Sequence, residues 1–232
     1  SRAITVHIGT LTLSNYFNAN NRNITSSQNI QLLPGRSYTI TLKFELGIQL
    51  AASDITLTQN GCTANDKNNL AKLRWATGNL KSTGSANYVW TTATDYGYYY
   101  TFYSTYTGNT DTNNTDPCSK LNTAYYGTGW RTPSRSTLIM LSRCTNKALV
   151  NKGMWFMNSS TGLFLPAAGY RNDNRGGSGT EATTSLGTQG FYQSRDDAGG
   201  TVSYFMLFGN GSIDIGAFQK KDGKTVRCVK GD

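Results

Sequence analysis

Past residue 150 the apolar runs of this chain are short: GMWFMN, GLFLPAAGYR, GFYQSR, SYFMLFG, SIDIGAF and TVRCVK, with Gly and Asn turns between them. Runs of this length bounded by turn residues suit strands rather than helices. One stretch breaks the pattern. WRTPSRSTLIMLSRCTNKALV, residues 130–150, carries Leu138, Ile139, Met140 and Leu141 as an apolar stripe. Thr132 can cap it, Pro133 suits a first helical turn, and Ser134 is an alternative cap. One clear helix among many short strands gives an α+β class.

The first sixty residues differ. AITVHIGTLTL and SYTITLKFEL alternate, with Tyr38, Ile40, Leu42 and Phe44 on one face and Thr39, Thr41 and Lys43 on the other. That is the period of a half-buried strand. LLPGRSY supplies a Pro-Gly turn between them, and IQLAASDITLT reads as a further strand or two. A seven-stranded sandwich needs about 100 residues. Residues 1–60 therefore read as a partial β-sandwich-like region, either leaning on a neighbour or lacking upstream strands. Residues 61–232 form the second domain.

Charged residues are 15% of the chain, against roughly 25% in ordinary soluble domains. Asn, Thr, Ser, Gly and Tyr supply the polarity instead, which suits a secreted or cell-surface protein. The net charge of +9 allows an acidic partner. Its densest cluster, Lys220, Lys221, Lys224, Arg227 and Lys230, surrounds a strand pattern with outward charges, so no nucleic-acid partner is expected. No apolar run is long enough to span a bilayer. The chain opens at Ser1 without a signal peptide, as a mature or processed chain would. Cys62, Cys118, Cys144 and Cys228 form no C-x-x-C pair, and an even count suits two disulfides in an oxidising compartment. Spacing leaves all three connectivities open.

Catalytic chemistry finds little footing. His7 is the sole histidine and no G-x-S-x-G elbow accompanies it. Asp173, Glu181, Asp196 and Asp197 read as loop acids, without the context a carboxylate pair needs. RNDNRGG is flanked by arginines, which disfavours a cation, and GGSG lacks the following lysine of a phosphate loop. No catalytic residue, metal or cofactor is expected, and recognition is the chemistry left. DYGYYYTFYSTY, residues 95–106, is then either a sugar-stacking surface or a strand that packs with tyrosine.

Four stretches in order carry a family resemblance: LRWATGNL (73–80), DPC with GWRTPS (116–118 and 129–134), LFLPAAGYR (163–171) and TVRCVK (225–230). Together, over residues 63–232, they resemble the major paralogous domain of surface proteins in Bacteroidetes and Fibrobacter. That domain is similar in pattern to C-type-lectin-like and sulfatase-modifying folds. The first sixty residues resemble the end of a fimbrillin-type β-domain. The pairing implies a fimbrial tip or accessory pilin at the cell surface or outer membrane, an adhesin whose partners are other pilin subunits and a glycan or surface-protein ligand. Several features depart from these relatives. The acid expected in the helix after RTPS is replaced near Thr137. Cys228 sits in a terminal strand pattern rather than a reactive site. The Glu-Pro-Asn and Trp-Asn-Asp calcium motifs of C-type lectins are missing. The resemblance therefore implies the fold, without the enzyme chemistry or the calcium-dependent sugar binding.

The resemblance also implies the disulfides Cys118–Cys228 and Cys62–Cys144. It places ligand binding on a long late loop, giving Arg171, Asn172, Asp173, Asn174, Arg195 and Asp196 as candidates beside exposed rings at Tyr98, Tyr100 and Tyr103. Trp75, Trp90, Trp130 and Trp155 are assigned to the core. A structural pilin without its own ligand is the alternative, and a glycan-active or sulfatase-modifying enzyme has only fold analogy behind it.

Overall fold

In the computed structural model, residues 10–11, 30–31, 47–50, 61–82, 88–102, 115–156, 162–172 and 183–232 are described. The chain divides into two compact units, Ser1–Glu45 and Leu46–Asp232. In the first, β1 (Thr10–Leu11) pairs antiparallel with β2 (Ile30–Gln31). SYTITLKFEL and His7 lie outside the described residues. The second unit opens ahead of residue 61, because β3 (Ile48–Gln49) pairs with β4 (Arg74–Trp75) within it.

Between those strands runs α1 (Ala64–Lys72). Thr63 starts it with a capping box: its hydroxyl accepts from the Asp66 N–H at 3.1 Å, and the Asp66 carboxylate accepts from the Thr63 N–H at 3.0 Å. Such a cap stabilises a helix start by about 1 kcal/mol. Next come β5 (Leu80–Ser82), β6 (Tyr88–Trp90) and β7 (Tyr99–Tyr100), then a 3-10 turn at Pro117–Lys120, the short α2 (Thr123–Tyr126) and β8 (Trp130–Arg131). The expected helix is α3 (Arg135–Cys144), and Ser134, not Thr132, caps it. Thr132 is drawn away by Asp116, to which both its N–H and its hydroxyl donate. Leu138 and Leu141 are buried, Ile139 and Met140 half-buried.

The rest is strand: β9 (Lys147–Val150), β10 (Gly153–Phe156), β11 (Leu163–Pro166), β12 (Tyr170–Arg171), β13 (Thr183–Thr184), β14 (Gln189–Gly199), β15 (Val202–Gly209), β16 (Ser212–Gln219), β17 (Lys224–Thr225) and β18 (Val229–Lys230). They form a five-stranded sheet in the order β16-β15-β14-β17-β7, a four-stranded sheet β3-β4-β18-β8 and a three-stranded sheet β11-β10-β9, with β5-β6 and β12-β13 as pairs. Short strands dominate and helices are few, so the class is α+β.

Two cores result. The larger includes Leu70, Trp75, Leu138, Leu141, Phe156, Tyr192, Met206 and Phe208. The smaller includes Leu80, Tyr88, Tyr100, Leu121, Trp130 and Val226. Each holds one disulfide, Cys62–Cys144 in the first and Cys118–Cys228 in the second. This is the pairing the resemblance implies.

Between the strands lies a buried polar hub. Arg227 is 1% exposed and meets no carboxylate among the described residues. Its Nε donates to Asn79 Oδ1 at 2.9 Å, Nη1 to the Ala76 carbonyl at 3.0 Å and Nη2 to the Phe164 carbonyl at 3.0 Å. Asn79 Nδ2 donates in turn to the Tyr96 carbonyl and the Tyr192 hydroxyl, and Tyr192 donates to the Pro166 carbonyl at 2.9 Å. Three of the four resemblance stretches thus meet at one guanidinium. Burial pushes Arg227 down to about 10 and the Tyr192 hydroxyl upward, so at neutral pH the arginine is charged and the tyrosine is not. Gly78 belongs to this arrangement for steric reasons: a Cβ there would lie 1.8 Å from the Thr91 carbonyl oxygen.

Candidate ligand-binding cleft

The fourth resemblance stretch builds a surface. Asp116 precedes the 3-10 turn and caps it, its Oδ1 accepting from the Cys118 N–H at 2.9 Å. The same carboxylate takes the Thr132 hydroxyl at 2.7 Å and the Thr132 N–H at 2.8 Å. This folds the chain after Pro117 back along β8. The Cys118–Cys228 bridge fastens it to the strand entering β18. Between turn, α2 and β8 opens a cleft of about 460 Å³, walled by Ser119, Thr123, Thr128, Trp130, Arg131 and Arg195 among others. That volume lies in the range of small-molecule sites.

An aromatic row starts from its wall at Trp130. Trp130 and Trp90 meet edge-on with centroids 4.6 Å apart, Trp90 and Tyr126 lie 4.6 Å apart, and Tyr126 and Tyr125 meet edge-on at 4.8 Å. The Trp130 indole N–H donates to the Tyr126 carbonyl at 2.8 Å, and the Trp90 N–H donates to the Tyr126 hydroxyl. Burial raises the Tyr126 hydroxyl above its ordinary value. The inner rings are thus fixed, while Tyr125 is 70% exposed.

The charges are arranged unevenly. Arg131 and Lys230 are exposed, and neither makes an ion pair among the described residues. Lys230 runs along the floor segment: a Cβ on Gly127 would sit 3.8 Å from its Nζ, and one on Gly129 would sit 3.7 Å from its Cε. The acids nearby are occupied. Both Asp116 oxygens accept hydrogen bonds as above. Asp232 accepts from the Ser134 N–H, the Ser134 hydroxyl and the Thr137 hydroxyl, and pairs with Arg195 at 3.2 Å. Thr137 is thus met by a carboxylate from residue 232.

The expected site residues do not converge. Tyr100 is buried, as is its neighbour Tyr99, whose hydroxyl donates to the Ala168 carbonyl at 2.6 Å. β7 pairs with β17 and is covered on both faces, so Tyr100 is a packing residue and not an exposed ring. Tyr98 is half-buried under Lys81. Arg171 is half-buried with its guanidinium 5.4 Å from the Tyr99 ring, and Asn172 is exposed. Tyr103, Asp173 and Asn174 lie outside the described residues. Arg195 and Asp196 sit not on a late loop but within the long β14, at a register shift between Gln193 and Asp197. Asp196 Oδ2 accepts the Arg135 N–H at 2.6 Å at the start of α3. Of the candidates among the described residues, Arg195 alone lines the cleft.

Trp75 and Trp130 are buried, Trp90 and Trp155 half-buried. Tyr125, Arg131 and Lys230 escaped sequence reasoning. The available signal was the pair of tyrosines ahead of GTGWR, a small glycine-rich turn next to aromatic residues. Among the described residues no cluster of His, Cys, Asp or Glu could hold a metal, and no helix is long and apolar enough to cross a membrane. No family model, no curated protein and no solved structure matches the chain.

Proposed function

We propose that the chain is a cell-surface adhesin of the fimbrial tip or accessory type, whose second unit is a lectin-like domain binding a glycan without catalysis. One observation carries this: a cleft of about 460 Å³ with Trp130 in its wall, from which a fixed aromatic row runs through Trp90 and Tyr126 to the exposed Tyr125. Tyrosine offers a flat face for a pyranose and a hydroxyl for its edge. The lectin-like reading is supported by β18 returning beside β4, which closes the second unit on itself. The non-catalytic reading is supported by the engagement of Asp116, Asp196 and Asp232 in capping bonds.

A glycan array with a mucin and matrix-protein panel, run with and without calcium, tests it. Calcium-independent binding that weakens in Tyr125→Ala is expected, and binding to nothing on either panel rejects it. A second reading, a structural pilin, is favoured by β9. It is the outer strand of its sheet among the described residues, and Leu149 and Val150 are 46% and 41% exposed. An open apolar edge invites a strand from another chain. A ladder of oligomers abolished by Leu149→Lys, with no glycan bound, would favour that reading.

A further inference from the structure

We propose that β16 is a docking edge for an extended segment of a partner chain, one with apolar residues at alternate positions and a Lys or Arg opposite Asp214. This edge has no part in the glycan-binding reading and lies in a different sheet from β9. β16 is an end strand of the five-stranded sheet. It pairs with β15 over its whole length, from Ser212 with Gly209 to Gln219 with Val202, without a register shift. Just past the last pair, the Lys220 N–H donates to the Thr201 carbonyl at 2.8 Å. Antiparallel strands alternate hydrogen-bonded and non-bonded pairs, so the even-numbered residues of β16 bond inward to β15. The N–H and C=O groups of Ile213, Ile215 and Ala217 therefore point outward, and among the described residues nothing bonds to them. The row ends at Gln219, whose carbonyl accepts from the Lys224 ammonium and the Asp222 N–H.

Edge strands are commonly blunted by Lys, Pro, a bulge or shortness. SIDIGAFQ has no Lys, Arg or Pro, and its ladder has no bulge. Its sole charge, Asp214, is exposed and makes no ion pair among the described residues. An added strand sets each of its residues beside a β16 residue on the same side of the sheet. Ile213 and Ile215 are half-buried against the larger core, and apolar residues opposite them extend that core. Opposite Asp214 a cation gains a cross-strand partner, whereas a carboxylate is repelled. A second copy's β16 brings no cation to that position, so the occupant is a segment of different sequence. Such strand addition draws affinity from main-chain bonds and specificity from alternate side chains.

The whole chain is titrated, by fluorescence anisotropy, with labelled peptides the length of β16. They alternate Val with Thr and carry either Lys or Glu at one central Thr position. The Lys peptide is expected to bind about fivefold or more tighter than the Glu peptide. Asp214→Lys, a change at an exposed side chain, is expected to reverse that order. The Lys peptide methylated on its Val amide nitrogens, which face β16 in the added ladder, is expected not to bind. Ala217→Pro removes an outward N–H and leaves the β15 ladder intact, and it is expected to abolish binding of the Lys peptide. Equal binding of the Lys and Glu peptides, no binding of the Lys peptide, or full binding of the methylated one overturns the proposal. A dimer of the chain alone, seen by sedimentation and lost in Ala217→Pro, would make a second copy the occupant and overturn it too. The methylated peptide is tested on the unaltered protein, so misfolding of a variant cannot imitate its result.

Discussion

The hub and the cleft treat positive charge in opposite ways. At the hub, the Arg227 guanidinium is enclosed and met by two backbone carbonyls and an amide oxygen, with no acid beside it among the described residues. At the cleft, Arg131 and Lys230 stand in solvent while the neighbouring acids are tied down. Three resemblance stretches meet inside and one forms a wall outside. Sequence likeness of this kind thus marks mainly what holds the unit together. A buried cation is stabilised only while all its acceptors stay in place. A solvated one is free to exchange water for a ligand.

The bridge between Cys118 and Cys228 joins the two regions, and removing it should have the largest effect. It closes a loop with a sequence separation of 110 residues, worth about 4 to 5 kcal/mol in the chain-entropy view. Cys118→Ser with Cys228→Ser should lower the denaturant midpoint accordingly and weaken the glycan binding proposed above as well. A double variant with unchanged midpoint would show that the regions are held together by packing alone.

Arg227→Met comes next. It strands the Asn79, Ala76 and Phe164 oxygens inside the fold, at a cost of about 3 to 4 kcal/mol. Ligand affinity of the folded fraction should not move. If affinity falls with stability, hub and cleft are not the separable regions described here.

A smaller effect depends on pH. Lys224 is fully buried, its ammonium donating to the Gln219 and Asp222 carbonyls. Burial pushes it down to about 8 from an ordinary value near 10.5, with Asp222 partly opposing. The unfolded chain therefore holds this proton more tightly than the folded one. Charged lysine inside the fold is a penalty below pH 8 that is relieved as pH rises toward 10.5. Stability should climb by about 2 kcal/mol between pH 8 and 10. Lys224→Met should flatten that rise, and a wild-type curve already flat would remove the buried charge from the account.

Local features of the chain were legible and long-range register was not. Short apolar runs and an even cysteine count are visible without knowing what they touch, and they announced an α+β unit with two disulfides. The start of α3 was ambiguous because Thr132 and Ser134 both suit a cap; a carboxylate sixteen residues upstream in sequence, at Asp116, decided it. α1 carried its capping box in plain view at Thr63 and Asp66, but Leu70 is its only buried residue, too thin a stripe to register as a helix. Arg195 to Ala198 read as loop because their side chains leave the core, yet the backbone goes on pairing with β15 past a bulge. Tyr99 and Tyr100 are covered on both faces, which no alternation could reveal. Lys230 came to lie opposite Trp130 only through the pairing of β8 with β18.

The smallest stability change should accompany the most informative binding change. Tyr125 is 70% exposed and touches the structure through one edge of Tyr126. Removing its ring forfeits little buried area, so Tyr125→Ala should shift unfolding by less than about 0.5 kcal/mol. A sugar ring stacked on that face would lose its principal apolar contact, so affinity should drop about tenfold or more. Tyr126→Ala offers the contrast, because its half-buried ring props both Trp90 and Tyr125. That variant should lose stability and affinity together. A Tyr125→Ala protein that binds as well as wild type would move the ligand off the aromatic row.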